Sequence, residues 1–239
     1  MKRPVWIFLL LVVRAVPAAA HHGRDFLIVE SWELPHPHAF YLVTSEELHR
    51  VHGETAFHTE PSLLFGIRER VAGEVHVHAE REPGQSFRYE AIAPSVHVQL
   101  TPPESNAPWR FAASAEYEFA RRRAADNAAL TLIAARSAGE AALIFNAGVE
   151  RQQQGTAHAV YALGFRPRLD APVTWGLEAA GRLHRGQSQQ LLFGVYLQPS
   201  ERLTVKIGAG AGLGNGRPAA VVRSGIVWSF QPRAKSTAK

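Results

Sequence analysis

The eleven residues WRFAASAEYEF, 109 to 119, alternate throughout. Trp109, Phe111, Ala113, Ala115, Tyr117 and Phe119 hold the odd positions, and Arg110, Ala112, Ser114, Glu116 and Glu118 the even ones. A period of two places the two sets on opposite faces of a strand. A strand in a soluble core carries its bulk at mid-length, where the core is deepest. Here the large rings stand at both ends of the apolar face, with alanines between them. A bilayer favours that arrangement, with aromatic rings at its two interfaces and aliphatic groups in the hydrocarbon.

The same grammar recurs on either side. Strand-like segments run through 39–45, 54–67, 71–80, 86–100, 108–120, 127–135, 141–151, 156–166, 173–183, 189–198, 203–212 and 219–230. Turn formers separate them, among them Glu82-Pro83-Gly84, Pro102-Pro103, Pro199-Ser200 and Gly214-Asn215-Gly216. Segments of about ten residues suit a tilted bilayer crossing, whereas strands of soluble proteins average about five or six. With both termini on the periplasmic side, strand parity puts Trp109, Phe165, Trp175, Trp228 and Phe230 at one rim. Phe87, Tyr89, Tyr117 and Phe119 then fall at the other. The closing stretch AAVVRSGIVWSF, 219–230, sends Val222, Ile226, Trp228 and Phe230 outward and Arg223, Gly225 and Ser229 inward. The expectation is an all-β chain forming a single antiparallel transmembrane β-barrel of about 12 strands.

Lys2 and Arg3, the apolar run Val5 to Val13 and the small residues Ala18, Ala19 and Ala20 read as a signal peptide over 1–20. Residues 21–38 then form an N-terminal periplasmic strap or plug, 39–230 the barrel and 231–239 a flexible tail. The segment 21–38 is too apolar for a free tail, and Pro35 and Pro37 bar it from a central strand position. It is expected to fold into or across the periplasmic mouth. The chain has 26 basic and 21 acidic residues and no cysteine. Lys2, Arg3 and Arg14 belong to the leader, and Arg233, Lys235 and Lys239 to the tail. The body between them is therefore balanced to within one charge, which leaves no footprint for nucleic acid.

Arg88, Glu90, Arg110, Glu116, Glu118, Glu150, Arg166, Glu178, Arg182, Lys206 and Arg223 are expected to line the lumen. Charges in a narrow bore must pair or meet water, so the set reads first as an ion-pair network and second as a solute path. Glu74, His76, His78 and Glu80 share the lumen side of one strand. Two histidines at i and i+2 do not make a metal site, and they read as polar lining, as His36 and His38 around Pro37 and the early His21 and His22 read as a polar strap. No catalytic residues, cofactor or metal are expected. Ser114 shares its face with Glu116 rather than with a histidine, His158 has no serine on its face, and GxSxG, HExxH and P-loop patterns do not occur.

The stretches HGRDFLIVESWELPHP (22–37), RYEAIAPSVHVQLTPP (88–103), GFRPRLD (164–170) and GIVWSF (225–230) resemble a set of proteobacterial outer-membrane proteins. That set is related to the transporter-type barrels of the meta-pathway phenol-degradation family. The resemblance implies a narrow channel for passive transport of small solutes, aromatic or hydrophobic compounds among them. The closing strand resembles the C-terminal insertion signal of outer-membrane barrels, which implies insertion by the barrel-assembly machinery through the strand ending at Phe230, although that signal ordinarily stops at the aromatic and here QPRAKSTAK follows. The alternatives are a plugged structural or binding barrel without flux and, behind it, a membrane-embedded lipid-modifying enzyme. The expected partners are outer-membrane lipid and a small solute.

Overall fold

The computed structural model describes residues 25–51, 54–121, 127–152, 155–169, 171–183, 189–213 and 220–230. The leader, the tail, His21, His22 and the turn at 214–216 lie outside them. Alternating apolar and polar side chains produce β1 (Phe40–Val51), β2 (Glu54–Thr59), β3 (Ser62–Arg68), β4 (Val71–Arg81), β5 (Arg88–Gln99), β6 (Trp109–Ala120) and β7 (Asn127–Ala138). They continue as β8 (Ala141–Gln152), β9 (Ala157–Arg166), β10 (Val173–Arg182), β11 (Gln189–Ser200), β12 (Leu203–Leu213) and β13 (Ala220–Phe230). Every pairing between these strands is antiparallel, and β1 pairs with β13 from Phe40↔Phe230 to Arg50↔Ala220, which closes the sheet.

β2 and β3 are two halves of one stave. Both pair with β1 and with β4, and the register runs unbroken from Thr59↔Glu46 to Ser62↔Val43. Pro61 interrupts the ladder because it has no N–H to donate. Its carbonyl still accepts from Val77 N at 2.9 Å, and Glu60 exchanges both backbone hydrogen bonds with Ser45. The thirteen strands therefore make a barrel of twelve staves. The first stave runs further than the pattern in 39–45 suggested: β1 continues to Val51, paired with β13 almost to its end.

The outer surface is apolar. Leu130 and Leu132 are each 57% exposed and Trp228 52%, and the residues that alternate with them are half-buried or buried. Water does not tolerate a continuous band of this kind around a whole molecule, but hydrocarbon does. Register places the rings in two belts. Trp109 opens β6, Trp175 lies near the start of β10, and Phe165, Trp228 and Phe230 lie near the ends of β9 and β13, all at the mouth where β1 begins. Tyr89, Tyr117 and Phe119 lie at the opposite mouth, with Phe87 just before β5. Arg136 caps the Trp109 ring at 5.6 Å, and Phe40 stacks on Phe230 at 4.6 Å across the closing seam.

The apolar core is inside the bore and is organised by the segment before β1. Phe26 and Val29 pack with Ala112, Ile133, Ala135, Ile144 and Ala162. Leu27 packs with Leu192, Tyr196 and Val221. Leu34 lies against Tyr41, Val43, Leu64, Ala72 and Val227. The segment leaves the bore at a tight crossing. His38 N donates to Gly66 O at 3.1 Å, Gly66 N donates to Ala39 O at 2.9 Å, and His38 itself has φ 67°. A Cβ on Gly66 would lie 2.1 Å from the His36 carbonyl oxygen, so only glycine lets the segment pass the wall there.

Leu132→Arg puts a charge on the outer face at mid-strand and is expected to cost about 2–4 kcal/mol of folding stability in lipid. Denaturant titration in vesicles measures this. The neighbouring Leu132→Val change is expected to cost less than about 1.5 kcal/mol.

Candidate functional site: the bore and its N-terminal segment

Residues 25–34 enter the bore without regular secondary structure, so side chains of the wall must satisfy their backbone groups. Glu178 on β10 does most of this. Its Oε1 accepts from Leu27 N at 2.7 Å, and its Oε2 accepts from Ile28 N at 2.7 Å and Val29 N at 3.2 Å. Tyr196 on β11 donates its hydroxyl to the same carboxylate. Three consecutive amides converging on one anion form the concavity that backbone makes around phosphates and carboxylates. Glu178 is 1% exposed, and without these donors the cost of its charge would be prohibitive.

Cations on β9 and β12 bond the carbonyls of the same segment. Lys206 on β12 donates Nζ to Phe26 O at 2.7 Å. Arg166, at the end of β9, donates Nη1 to Asp25 O at 2.8 Å and lies over the Tyr196 ring at 4.3 Å. Asn146 Nδ2 on β8 reaches Glu30 O at 3.4 Å, and on the opposite wall Gln99 Nε2 donates to Trp32 O at 3.2 Å and Arg110 covers the Trp32 ring at 5.4 Å. The segment thus spans the bore from β5 and β6 to β9, β10 and β12.

Above it lies a chain of carboxylates and imidazoles. Ser114 Oγ donates to Glu30 Oε2 at 2.8 Å, and His97 Nδ1 stands 3.9 Å from the same oxygen. His97 Nε2 is 3.1 Å from Glu74 Oε2, which lies 3.3 Å from His76 Nε2. His76 then contacts Glu60 at 2.6 Å through Nδ1 and Glu116 at 3.6 Å through Nε2. Ser62 donates to Glu74 at 2.7 Å. Among the described residues no group of three or more His, Asp or Glu side chains is arranged to hold a metal ion. The His76 and His78 rings lie 6.2 Å apart, and His78 Nε2 is buried without a hydrogen-bond partner among the described residues.

The chain of acids opens into a cavity of about 410 Å³ at the far mouth, lined by Glu47, Glu60, Glu80, Glu90, Glu118, His58, His78 and Arg223 among others. Arg88 holds Glu80 at 2.7 Å and also contacts Glu90. Arg223 pairs with Glu47, and Asn127 donates to Glu118 at 2.9 Å. Arg182 and Glu150 meet at 3.5 Å on the adjacent wall. The eleven charged positions read from alternation therefore divide into three groups. Arg110, Arg166, Glu178 and Lys206 meet the segment. Glu116 joins the histidine chain. Arg88, Glu90, Glu118 and Arg223 surround the far cavity, beside the Arg182–Glu150 pair.

A bulge decides part of this. His78 pairs with Ala91 but Ala79 with Tyr89, so Glu90 is the extra residue of β5. Without it Arg88 and the buried Ala91, Ala93 and Ser95 would lie on opposite faces. Sequence reasoning missed Tyr196, His97, Glu60, Glu47 and Glu30. Tyr196 alternates with Leu192 and Gly194 and was recoverable from period alone. Glu47 lay beyond the end assigned to the first strand, and Glu60 sits at the Pro61 interruption, where the pattern breaks.

Glu178→Ala removes the acceptor of three buried amides, and each unsatisfied group costs about 1–3 kcal/mol. Amide exchange at Leu27, Ile28 and Val29 is expected to accelerate by about tenfold or more, with the β6–β8 amides unchanged.

No protein-family model and no curated protein matches the sequence. Solved structures do match. The COG4313 outer membrane channel from Pseudomonas putida F1 aligns at TM-score 0.60 and 9% identity, covering 83% of this chain and 97% of that one. The KdgM porin aligns at 0.58 and 8%, covering 80% and 99%. The NanC porin aligns at 0.55 and 11%, covering 78% and 98%. At such identities the likeness concerns the fold, and the fold is the closed antiparallel barrel of outer-membrane porins and channels.

Proposed function

We propose that the chain is a narrow channel for passive transport of small solutes across the outer membrane, held shut by its own residues 25–34, and that it is not an enzyme. The observation that carries the reading is a charged cavity of about 410 Å³ that leads down an acid–histidine chain to a segment lying across the bore. A wall built only for mechanical strength gains nothing from such a cavity, because buried carboxylates cost more than well-packed apolar side chains of the same volume. A serine and a histidine do meet in the wall, but out of reach of solvent. Ser95 and His97 touch at 3.0 Å but are both buried.

The porins and the channel of the same fold support passage rather than catalysis; one of them is known in complex with disordered oligogalacturonate, a ligand of that protein. The resemblance to meta-pathway phenol-degradation barrels points to small aromatic or hydrophobic compounds as solutes. Residues 1–20 direct export, the periplasmic mouth is the one where β1 begins, and the strand ending at Phe230 engages the assembly machinery. The second reading is a permanently plugged barrel of structural or binding role, favoured by the number of hydrogen bonds that hold the segment.

Single-channel conductance of the mature chain with and without residues 21–38 separates the two. Deletion is expected to raise conductance with normal membrane insertion, and the opened bore is expected to pass cations ahead of anions because acids outnumber bases around the far cavity. Unchanged conductance after normal insertion would reject the channel in favour of the structural reading.

A further inference from the structure

The wall bonds the main chain of the segment along its length and seats its Phe26 and Leu27 side chains. Asp25 O, Phe26 O, Leu27 N, Ile28 N, Val29 N, Glu30 O and Trp32 O each receive a hydrogen bond from, or give one to, a wall side chain. The Glu30 side chain is also reached, through Ser114. Wall groups that bond main-chain atoms would meet any peptide of the same conformation equally well. The apolar seats are also shaped by absence. A Cβ on Gly164 would lie 2.7 Å from the Phe26 ring, and one on Gly208 would lie 2.4 Å from Leu27 Cδ1. The ring seat is completed by Tyr196, edge-on at 6.1 Å, and by the Arg166 guanidinium at 5.9 Å.

We infer that the barrel wall carries a peptide-binding site, formed by Glu178, Lys206, Arg166 and Tyr196, whose ligand class is a short peptide with an aromatic residue, and that residues 25–29 are its tethered occupant. The polarity is complete for that class. Glu178 takes N–H donors or a terminal ammonium, Lys206 and Arg166 take carbonyls or a terminal carboxylate, and the glycine-floored seat takes the ring. Glu178, Lys206, Arg166 and Tyr196 are each 4% exposed or less, so the site is dry when filled and its hydrogen bonds are correspondingly strong. The inference rests on the segment's being an occupant of the bore and is independent of whether solutes flow.

A tethered occupant competes at an effective concentration of about millimolar, so free peptide binds weakly to the native chain and well only when the occupant is weakened. Two full-length variants do this and leave the wall intact. Ile28→Pro removes one donor to Glu178, and Phe26→Gly empties the ring seat. The probe is a fluorescein-labelled peptide of sequence DFLIVE, followed by anisotropy in detergent, with heat-modifiable electrophoretic mobility reporting that the barrel is folded. Both variants are expected to bind the probe about 100-fold more tightly than the native chain. Adding Lys206→Met is expected to abolish that gain, and N-methylation of the probe's Leu, Ile and Val amides is expected to abolish binding. Folded variants that fail to bind, or that bind the N-methylated probe equally well, overturn the site. Binding without conductance in the deleted barrel would sustain the site and reject the channel, and conductance without binding would do the reverse.

Discussion

Backbone hydrogen bonds have no substitute partner in hydrocarbon, and the whole molecule is arranged around that constraint. The seam between β1 and β13 satisfies the last open edge, and every other feature depends on the closure. Once the sheet is closed, alternation sends one face of each strand to lipid and the other to a shared interior. Pro61 marks the limit of tolerance. It interrupts one ladder position, yet the flanking Glu60 and the Pro61 carbonyl retain their backbone partners, so the stave survives.

Closure creates a second problem, because twelve staves enclose a bore whose walls carry charge of both signs. The segment 25–34 addresses it by bringing both apolar bulk and backbone dipoles. Phe26, Val29 and Leu27 fill the lower interior, and the amides after Phe26 solvate Glu178 in place of water. Further up, the charges solvate one another through Glu74, His76 and His97. The far cavity is edged by ion pairs and keeps about 410 Å³ of open volume.

The barrel was legible in the sequence because lipid imposes a strict two-residue period over long stretches, as 109–119 and 203–212 show. The interior was legible as a list of charges but not as an arrangement. Which charges meet is set by stave order around the barrel and by local irregularities such as the extra Glu90 and the break at Pro61, neither of which leaves a periodic trace. The role of Tyr196 depends on its reaching Glu178 across adjacent strands. The path of residues 25–34 was approachable through their apolarity and their prolines. The amide cluster on Glu178 was not, since nothing in the segment's composition names its acceptor.

Trp228 and Trp175 face lipid, while Trp32 lies inside the same barrel, packed with the bore cluster and covered by Arg110. Fluorescence quenching by brominated lipid in single-tryptophan versions of the mature chain tests this most directly. Trp228 and Trp175 are predicted to be strongly quenched and Trp32 to be protected. Quenching of Trp32 to the same extent as Trp228 would contradict an apolar wall enclosing its own N-terminal segment.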